Sequence, residues 1–210
     1  SKVESERIAM QFMGTWTVLR TGAVVGPGDE TVSVLLRMLR TLPAVPVIED
    51  GDQPFQPVWH EDVAWAVAEC LQRDDVGGRV LNIASDDVLT VNDVLDLFSN
   101  VTDRSPLRVP LPAVLAKLGT SIASGIGIET PVSAATVQML LEGNVVRQHE
   151  TNDLTGLLGY RPEPMRTRLV ELADASPEQT PDEGVGRLQR RHPPLVAAAG
   201  RRERRTVPGA

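Results

Sequence analysis

"LRTGAVVGPGDE", residues 19–30, joins an apolar run to a loop that contains three glycines and a proline. Glycine-rich loops between a strand and a helix often hold phosphate groups, because their backbone N–H groups can approach an anion closely. A dinucleotide-binding loop reads Gly-x-Gly-x-x-Gly, but Gly26 and Gly28 are followed by Thr31 at the position of the third glycine. No other pair of glycines in the sequence completes this pattern. The segment therefore predicts a strand-to-helix turn and not a phosphate-binding loop.

The residues around this segment alternate between strand-like and helix-like patterns. A β-branched run at 15–21 predicts the strand before the loop, and apolar spacing predicts a helix at 31–42. Thr90, with Asp93 three residues later, predicts a capping box at the start of another helix. Strands that alternate with helices favour an α/β fold. The other predicted elements are helices at 2–13, 60–73, 133–142, 151–158 and within 158–173, and strands at 45–50 and within 77–85.

Charge is unevenly distributed along the 210 residues. The net charge is −7, yet residues 189–210 carry six Arg and one Glu, so the rest of the chain is strongly acidic. An acidic body argues against a general nucleic-acid binder. The basic end has few core-forming residues, which predicts a disordered tail. Contact of this tail with anionic lipid or with another subunit is the alternative.

Metal binding and nucleophilic catalysis have little support in the sequence. The single Cys70 excludes an internal disulfide framework and fits a reducing compartment. The three histidines, His60, His149 and His192, are far apart, so no metal site is predicted. A Ser-His-Asp set stays open, although no nucleophile elbow marks one. Asp62 has two interpretations, a helix cap or, with His60, part of the lining of a cleft.

Four segments in this order resemble one protein family. They are SKVESER (1–7), WTVLRTGAVVGPGD (16–29), VWHEDVAWAVAECL (58–71) and GGRVLNIAS followed by LTVNDVLDLF (77–98). Together they resemble the second half of an extended or atypical short-chain dehydrogenase/reductase of the NAD-dependent epimerase/dehydratase kind. This resemblance implies a partial Rossmann-like NAD(P)-binding fold that lacks its N-terminal half, with a C-terminal, mainly helical substrate domain.

The resemblance also implies a division of the chain. Residues 1–102 are expected to form the C-terminal part of the NAD(P)-binding domain, interleaved with substrate-domain segments at about 27–60. Residues 103–173 are expected to form a helical substrate-domain segment, and 174–210 a disordered tail.

The family's catalytic pair, Tyr-x-x-x-Lys, indicates where the site lies. Lys2 takes the position of the family's lysine, and the tyrosine would lie four residues before it, outside this sequence. In the family the tyrosine is the general acid/base, while the lysine lowers the pKa of the tyrosine and holds the nicotinamide ribose. The resemblance thus implies NAD or NADP as cofactor. It implies catalytic Lys2, cofactor-binding Lys2, Thr21, Gly22 and Val24, and substrate-side Val25, Gly26, His60 and Asp62.

Two residues of the 19–30 segment depart from the family pattern. The family's strand reads Leu-Arg-Pro and its loop Tyr-Gly-Pro-Gly-Asp, whereas this chain has Thr21 for the proline and Val25 for the tyrosine. Thr21 keeps a backbone N–H that proline would lack. Both departures argue against ordinary epimerase chemistry.

Two later segments narrow the resemblance to one branch. PVSAATVQMLLEGNVV (131–146) and LLGYRPEPMRTRLVEL (157–172) resemble the branch of the 39-kDa accessory subunit of respiratory complex I. The predicted function is a fragment of an NAD(P)-dependent oxidoreductase, epimerase or dehydratase-like protein that acts on a small molecule. The alternatives are a non-catalytic NAD(P)H-binding accessory or assembly protein and a sensor of the cofactor ratio. The implied location is cytoplasmic, or peripheral to the inner membrane, and the 210-residue chain alone is expected to be inactive.

Overall fold

The computed structural model describes residues 2–115, 145–146 and 150–175, without the side chain of Lys2. The predicted helix at 133–142, much of the 103–173 segment and the tail from 176 onward lie outside these residues. The described helices are α1 (Lys2–Met10), α2 (Val32–Thr41), α3 (His60–Gln72), a 3-10 turn (Asp74–Val76), α4 (Val91–Thr102), α5 (Leu154–Leu158) and α6 (Met165–Asp174). The described strands are β1 (Thr17–Thr21), β2 (Val24–Val25), β3 (Ala44–Ile48), β4 (Val58–Trp59), β5 (Arg79–Ile83) and β6 (Leu107–Leu111).

The described strands form three parallel pairs. β1 pairs with β5, β2 with β4, and β3 with β6. Parallel partners need crossover connections, which here include helices of the chain. The predicted α/β class is confirmed.

The two edges of the β1–β5 pair differ. The backbone N–H of Gly22 donates to the carbonyl oxygen of Ile83 at 3.1 Å, so by alternation the N–H of Thr21 faces the opposite edge of β1. Within the described residues no strand pairs with that edge. The free edge of β5 is covered by residues 151–153, where the Asn152 side chain donates to the carbonyl oxygen of Ala84 at 2.7 Å.

The buried apolar residues form two clusters. The smaller cluster lies between β1, β5, α3 and α5 and includes Leu81 and Ile83. The larger cluster joins the loop after β1 to α2, β3, α4 and α6 and includes Phe55, Phe98 and Leu169. Helix α4 therefore packs with α2, which lies in the 27–60 segment that was expected to belong to the substrate domain. Helix α4 itself was expected to belong to the cofactor domain. The domain division stays a prediction.

The 22–29 loop is closed by Asp29. Its side chain accepts hydrogen bonds from the backbone N–H groups of Thr31 at 2.7 Å, Val32 at 2.6 Å and Ser33 at 3.1 Å. These are donors that the first turn of a helix cannot satisfy internally. Asp29 therefore marks the start of α2, and the segment leads from a strand to a helix as predicted, but Val24–Val25 within the predicted 22–29 loop form strand β2. The capping box of Thr90 and Asp93 at the start of α4 is also confirmed.

Helix α3 begins differently from the cap that Asp62 was predicted to provide. The N-cap residue is Trp59, and it makes no side-chain capping bond. Asp62 is the third residue of the helix and is only 3% exposed. A capping residue precedes the helix and has non-helical backbone angles, so the prediction of a cap at Asp62 is wrong.

Helix α1 ends at Met10, three residues before the predicted end. Two of its apolar side chains are exposed, Val3 by 77% and Ile8 by 61%. The helix contacts β1, mainly through charge, as described below. None of the helices in the described part combines the length and apolar composition that crossing a bilayer requires.

Candidate functional site

A cavity of about 340 Å³ lies at the carboxyl ends of β1 and β5. Ligands of open α/β sheets bind outside the carboxyl ends of the strands, and this volume is within the usual range of ligand pockets. Thr21 and Gly22, both predicted as cofactor-binding, lie in its lining. The lining consists of Val3, Glu6, Arg20, Thr21, Gly22, Gln56, Asn82, Ala84, Val145, Val146 and Glu150.

Gly22 is required by a close backbone contact. A Cβ atom at this position would lie 2.0 Å from the carbonyl oxygen of Gln56, a distance that no side chain could accommodate. The glycine therefore lets the 55–59 segment cross directly over the end of β1. Its role is packing against backbone, consistent with the absence of a phosphate-binding pattern in this loop.

One wall of the cavity is held by an ion pair between α1 and β1. The Nε and Nη2 atoms of Arg20 donate to the two carboxylate oxygens of Glu6 at 3.2 and 2.5 Å. The bond to Arg20 holds the pKa of Glu6 below its ordinary value. Glu150 approaches Arg20 from the other side at 4.0 Å. Arg20 thus links α1, β1 and the 150–153 segment around the cavity.

Lys2 lies on the same helix as two residues of this wall. Val3 and Glu6 of α1 line the cavity, and Lys2 is one helical turn before Glu6, on the same face. The side chain of Lys2 is outside the described atoms. Its catalytic and cofactor-binding roles stay a prediction.

The residues predicted on the substrate side meet at a second place. Val25 is fully buried and pairs with Trp59. A Cβ atom on Gly26 would lie 2.2 Å from the imidazole ring of His60, so the glycine allows this ring to pack on the loop. Partial burial lowers the pKa of His60, and the nearby Arg168 adds to this effect. Val25, Gly26 and His60 are therefore neighbours, but they do not line the 340 Å³ cavity.

Asp62 belongs to a buried charged cluster. Arg168 of α6, only 7% exposed, lies 3.7 Å from a carboxylate oxygen of Glu61 and 3.2 Å from one of Glu163. Its guanidinium carbon is 5.5 Å from the centre of the Trp59 ring. Burial raises the pKa of Asp62 to about 6, an effect that Arg168 opposes and Glu61 and Glu163 reinforce. This arrangement supports a structural role for Asp62 between α3 and α6.

The remaining predicted residue, Val24, follows the cavity residues Thr21 and Gly22 in the chain and precedes Val25. It pairs with Val58 in the β2–β4 ladder and is 43% exposed. The cavity lining, as far as the structure describes it, does not include Val24. Its cofactor contact stays a prediction.

A second cavity, of about 390 Å³, contains none of the predicted site residues. It lies between the end of β5 and the 161–164 segment. One of its charged lining residues, Asp86, is paired with Arg161 at 2.9 Å. No group of three potential metal ligands occurs among the described residues. The 340 Å³ cavity is therefore the candidate site that agrees with the sequence motifs.

Solved structures with the same fold include sugar-nucleotide epimerases. A nucleoside-diphosphate-sugar epimerase from Staphylococcus aureus matches 80% of the chain with a TM-score of 0.60 at 15% identity. MoeE5, solved with UDP-glucuronic acid and NAD, matches 81% with a TM-score of 0.58 at 22% identity. The chain has an epimerase-like fold. It spans about half of these proteins, 56% and 53% of their chains, so the expectation of a partial Rossmann-like fold is confirmed.

The chain is also similar in sequence to a respiratory-chain subunit. It is 25% identical over 118 residues to NADH dehydrogenase (ubiquinone) 1 alpha subcomplex subunit 9, mitochondrial, of Arabidopsis thaliana, a match that covers 56% of this chain and 29% of that protein. The Dictyostelium discoideum protein of the same name is 24% identical over 112 residues, which cover 53% of this chain and 31% of that protein. No protein-family model matches the chain. The resemblance both to epimerases and to this complex I subunit is confirmed.

Several residues of the candidate site were not singled out from the sequence. Gln56, Asn82, Glu150 and the pair Val145–Val146 reach the cavity from separate parts of the chain. Gln56 had one local signal, because it is a lone amide within the otherwise apolar run FQPVW. For the others no local pattern marks a site, because their approach depends on tertiary contacts.

Proposed function

We propose that the chain forms the C-terminal part of an NAD(P)-binding protein of epimerase-like fold, with the nicotinamide end of the cofactor in the 340 Å³ cavity. The observation that carries this proposal is that Thr21 and Gly22 share the cavity with the helix that bears Lys2. Structural neighbours that were solved with NAD support it.

The lining is chemically suited to the nicotinamide end of the cofactor. Apolar side chains such as Val145 and Val146 could cover a flat heteroaromatic ring, while Thr21, Asn82 and Gln56 offer polar groups to a carboxamide. Lys2 would hold the ribose hydroxyls. When bound, the cofactor supplies hydride transfer, and NAD and NADP are both compatible with these residues.

For the whole protein, an enzyme, an accessory or assembly protein and a sensor of the cofactor ratio all stay open, and one observation favours the non-catalytic functions. Val25, in place of the family's tyrosine, is fully buried against the β4 strand and offers no polar group to a substrate. The complex I subunits among the sequence relatives support the same choice. An NAD(P)H-binding accessory or assembly protein is therefore our first proposal. A reductase, epimerase or dehydratase acting on a small molecule such as a sugar nucleotide is the second.

The residue four positions before Lys2 in the longer gene product separates these functions. A tyrosine there, together with turnover of a UDP-sugar in the presence of NAD, would favour the enzyme. Another residue, with tight NADPH or NADH binding and no turnover, would favour the accessory protein.

Lys2 provides the direct test of cofactor binding. In the longest natural form of the protein, we expect Lys2→Met to weaken NADH or NADPH binding at least tenfold, equivalent to about 1.4 kcal/mol, because a cation at the ribose is lost. Arg7→Met removes an exposed cation of the same helix, which pairs only with Glu4 among the described ion pairs, and should change affinity less than twofold. Calorimetric titration measures both. Equal affinities of the Lys2→Met variant and wild type would contradict the proposed site.

We also propose that the basic tail, residues 189–210, supports a subunit contact at a membrane-peripheral location. Its six Arg residues against one Glu and the complex I relatives support this. Loss of co-purification with a respiratory complex on deletion of 189–210 would agree with it, whereas unchanged co-purification would exclude the tail as the contact.

A further inference from the structure

Gln56 occupies a buried position where three segments of the candidate site meet. Its side-chain Nε2 donates to the carbonyl oxygen of Ser85, just after β5, at 2.7 Å. Its Oε1 accepts from the backbone N–H of Val146 at 2.9 Å. Its own carbonyl oxygen lies against Gly22 at the end of β1. Gln56 therefore contacts the chain at the ends of β1 and β5 and also Val146, which lines the 340 Å³ cavity.

The orientation of the carboxamide is determined by its partners. A carbonyl oxygen can only accept a hydrogen bond and a backbone N–H can only donate one, so Nε2 must face Ser85 and Oε1 must face Val146. The residue is 9% exposed, and a buried amide that loses its partners is costly. Both polar atoms of the carboxamide are thus hydrogen-bonded, and only one orientation of the group satisfies both partners.

The backbone on both sides of Gln56 is also fixed. Phe55 and Leu89 exchange two backbone hydrogen bonds at 2.8 and 2.9 Å. The N–H of Val58 donates to Ala23 at 2.9 Å, and the N–H of Ser85 donates to the carbonyl oxygen of Pro57 at 2.8 Å. The carboxamide therefore extends from a rigid segment towards Val146, which belongs to neither a helix nor a strand.

We propose that Gln56 is a positioning residue that holds Val145 and Val146 at the cavity wall and so sets the width available to the bound cofactor. This inference rests on the proposed function, because it assigns that width to the nicotinamide end of NAD(P). Gln56 acts through the Val146 backbone and not by direct chemistry on the cofactor.

The first test removes both hydrogen bonds at nearly constant side-chain length. In the full chain, Gln56→Met should raise the hydrogen-exchange rate of the Val146 amide at least tenfold. In the longest natural form, it should weaken NADH or NADPH binding at least fivefold. Gln53→Met, at an exposed loop position nearby, should change neither quantity by more than twofold.

The second test separates positioning from general loss of stability. In Gln56→Glu, the carboxylate can accept from Val146 but repels the Ser85 carbonyl oxygen, whereas the protonated acid can make both bonds. We expect cofactor binding at least tenfold weaker than wild type at pH 8 but within threefold of wild type at pH 5.5. Gln53→Glu should follow wild type at both values. Recovery of cofactor binding by Gln56→Glu at pH 5.5 tests the positioning role even if Gln56→Met fails to fold.

The outcomes distinguish this inference from the proposed function. Unchanged Val146 exchange in Gln56→Met would overturn the inference whatever the cofactor affinity. Faster Val146 exchange with unchanged affinity would also overturn it, while leaving the proposed function intact. Wild-type protein that binds neither NADH nor NADPH would refute the proposed function, and with it the assignment of the cavity width to a cofactor.

Discussion

At the scale of single residues, the environment of the Asp62 carboxyl group depends on tertiary packing more than on its position in helix α3. Its position near the start of α3 suggests a cap, yet its carboxyl group is buried beside Arg168, Glu61 and Glu163. Burial is the largest cause of its raised pKa, because removing a carboxylate from water penalises the charged form. The consequence is a carboxyl group that titrates within the folded protein near pH 6.

This titration predicts a pH-dependent loss of stability. Because folding raises the pKa of Asp62 from 3.8 to about 6, the folded state holds the proton more tightly than the unfolded state. The resulting stabilisation is fully present below the lower value and is lost as the pH rises through the higher one. The loss amounts to about 3 kcal/mol by pH 7. Asp62→Asn, which does not titrate, should remove this part of the pH dependence.

Chemical denaturation at several values between pH 4 and pH 7 measures the effect. Asp74→Asn, at an exposed position, serves as the matched control and should retain the wild-type pH profile. An unchanged profile in Asp62→Asn would show that Asp62 titrates at its ordinary pKa.

At the scale of elements, the charged cluster joins two helices that are distant in the chain. Arg168 of α6 reaches Glu61 of α3 and stacks over Trp59 just before that helix. It is the cation that offsets several buried or half-buried carboxylates. Replacing such a cation with a neutral side chain is strongly destabilising, because its carboxylate partners then remain uncompensated away from water.

We therefore expect Arg168→Leu to lower the free energy of unfolding by about 3–5 kcal/mol at pH 7. The neighbouring Arg166→Leu removes a half-exposed ion pair with Asp93 and should cost less than about 1 kcal/mol. Thermal and chemical denaturation of both variants measure the difference. Similar small losses in both would mean that Arg168 contributes no more than a surface ion pair.

At the scale of the whole molecule, the chain has a partial Rossmann-like fold. It spans about half of the solved structures that it matches, and in the described residues no strand pairs with the outer edge of β1. The N–H of Thr21 faces that edge. In such folds the glycine-rich phosphate loop is a separate motif, and this sequence contains none.

The 210-residue chain on its own should therefore bind NAD(H) and NADP(H) negligibly. The physical reason is that a cavity of this size holds only one end of a dinucleotide, and Arg20, the cation in its described lining, is already paired with Glu6. Calorimetry of this chain beside the longest natural form provides the comparison. Micromolar binding by the 210-residue chain would contradict this prediction.

Local sequence patterns predicted the elements well, because they depend on neighbours within a few residues. Apolar spacing placed α2 within one residue of its observed ends, and Thr90 with Asp93 formed the expected capping box. The 22–29 segment leads from β1 to α2 as predicted, but local patterns missed strand β2 (Val24–Val25) within it. The face of α1 could not be judged in this way, because apolar spacing does not reveal whether a partner covers it.

The sequence by itself determined the α/β class, the order of its elements and the resemblance to epimerases, since these follow from short-range periodicity and motif spacing. Only the tertiary structure decided that Gln56 joins Ser85 to Val146, that Gly22 faces a backbone oxygen, and that Asp62 is buried beside Arg168. These contacts link residues far apart in the chain. They arise when packed elements exclude water and leave buried polar groups to find specific partners.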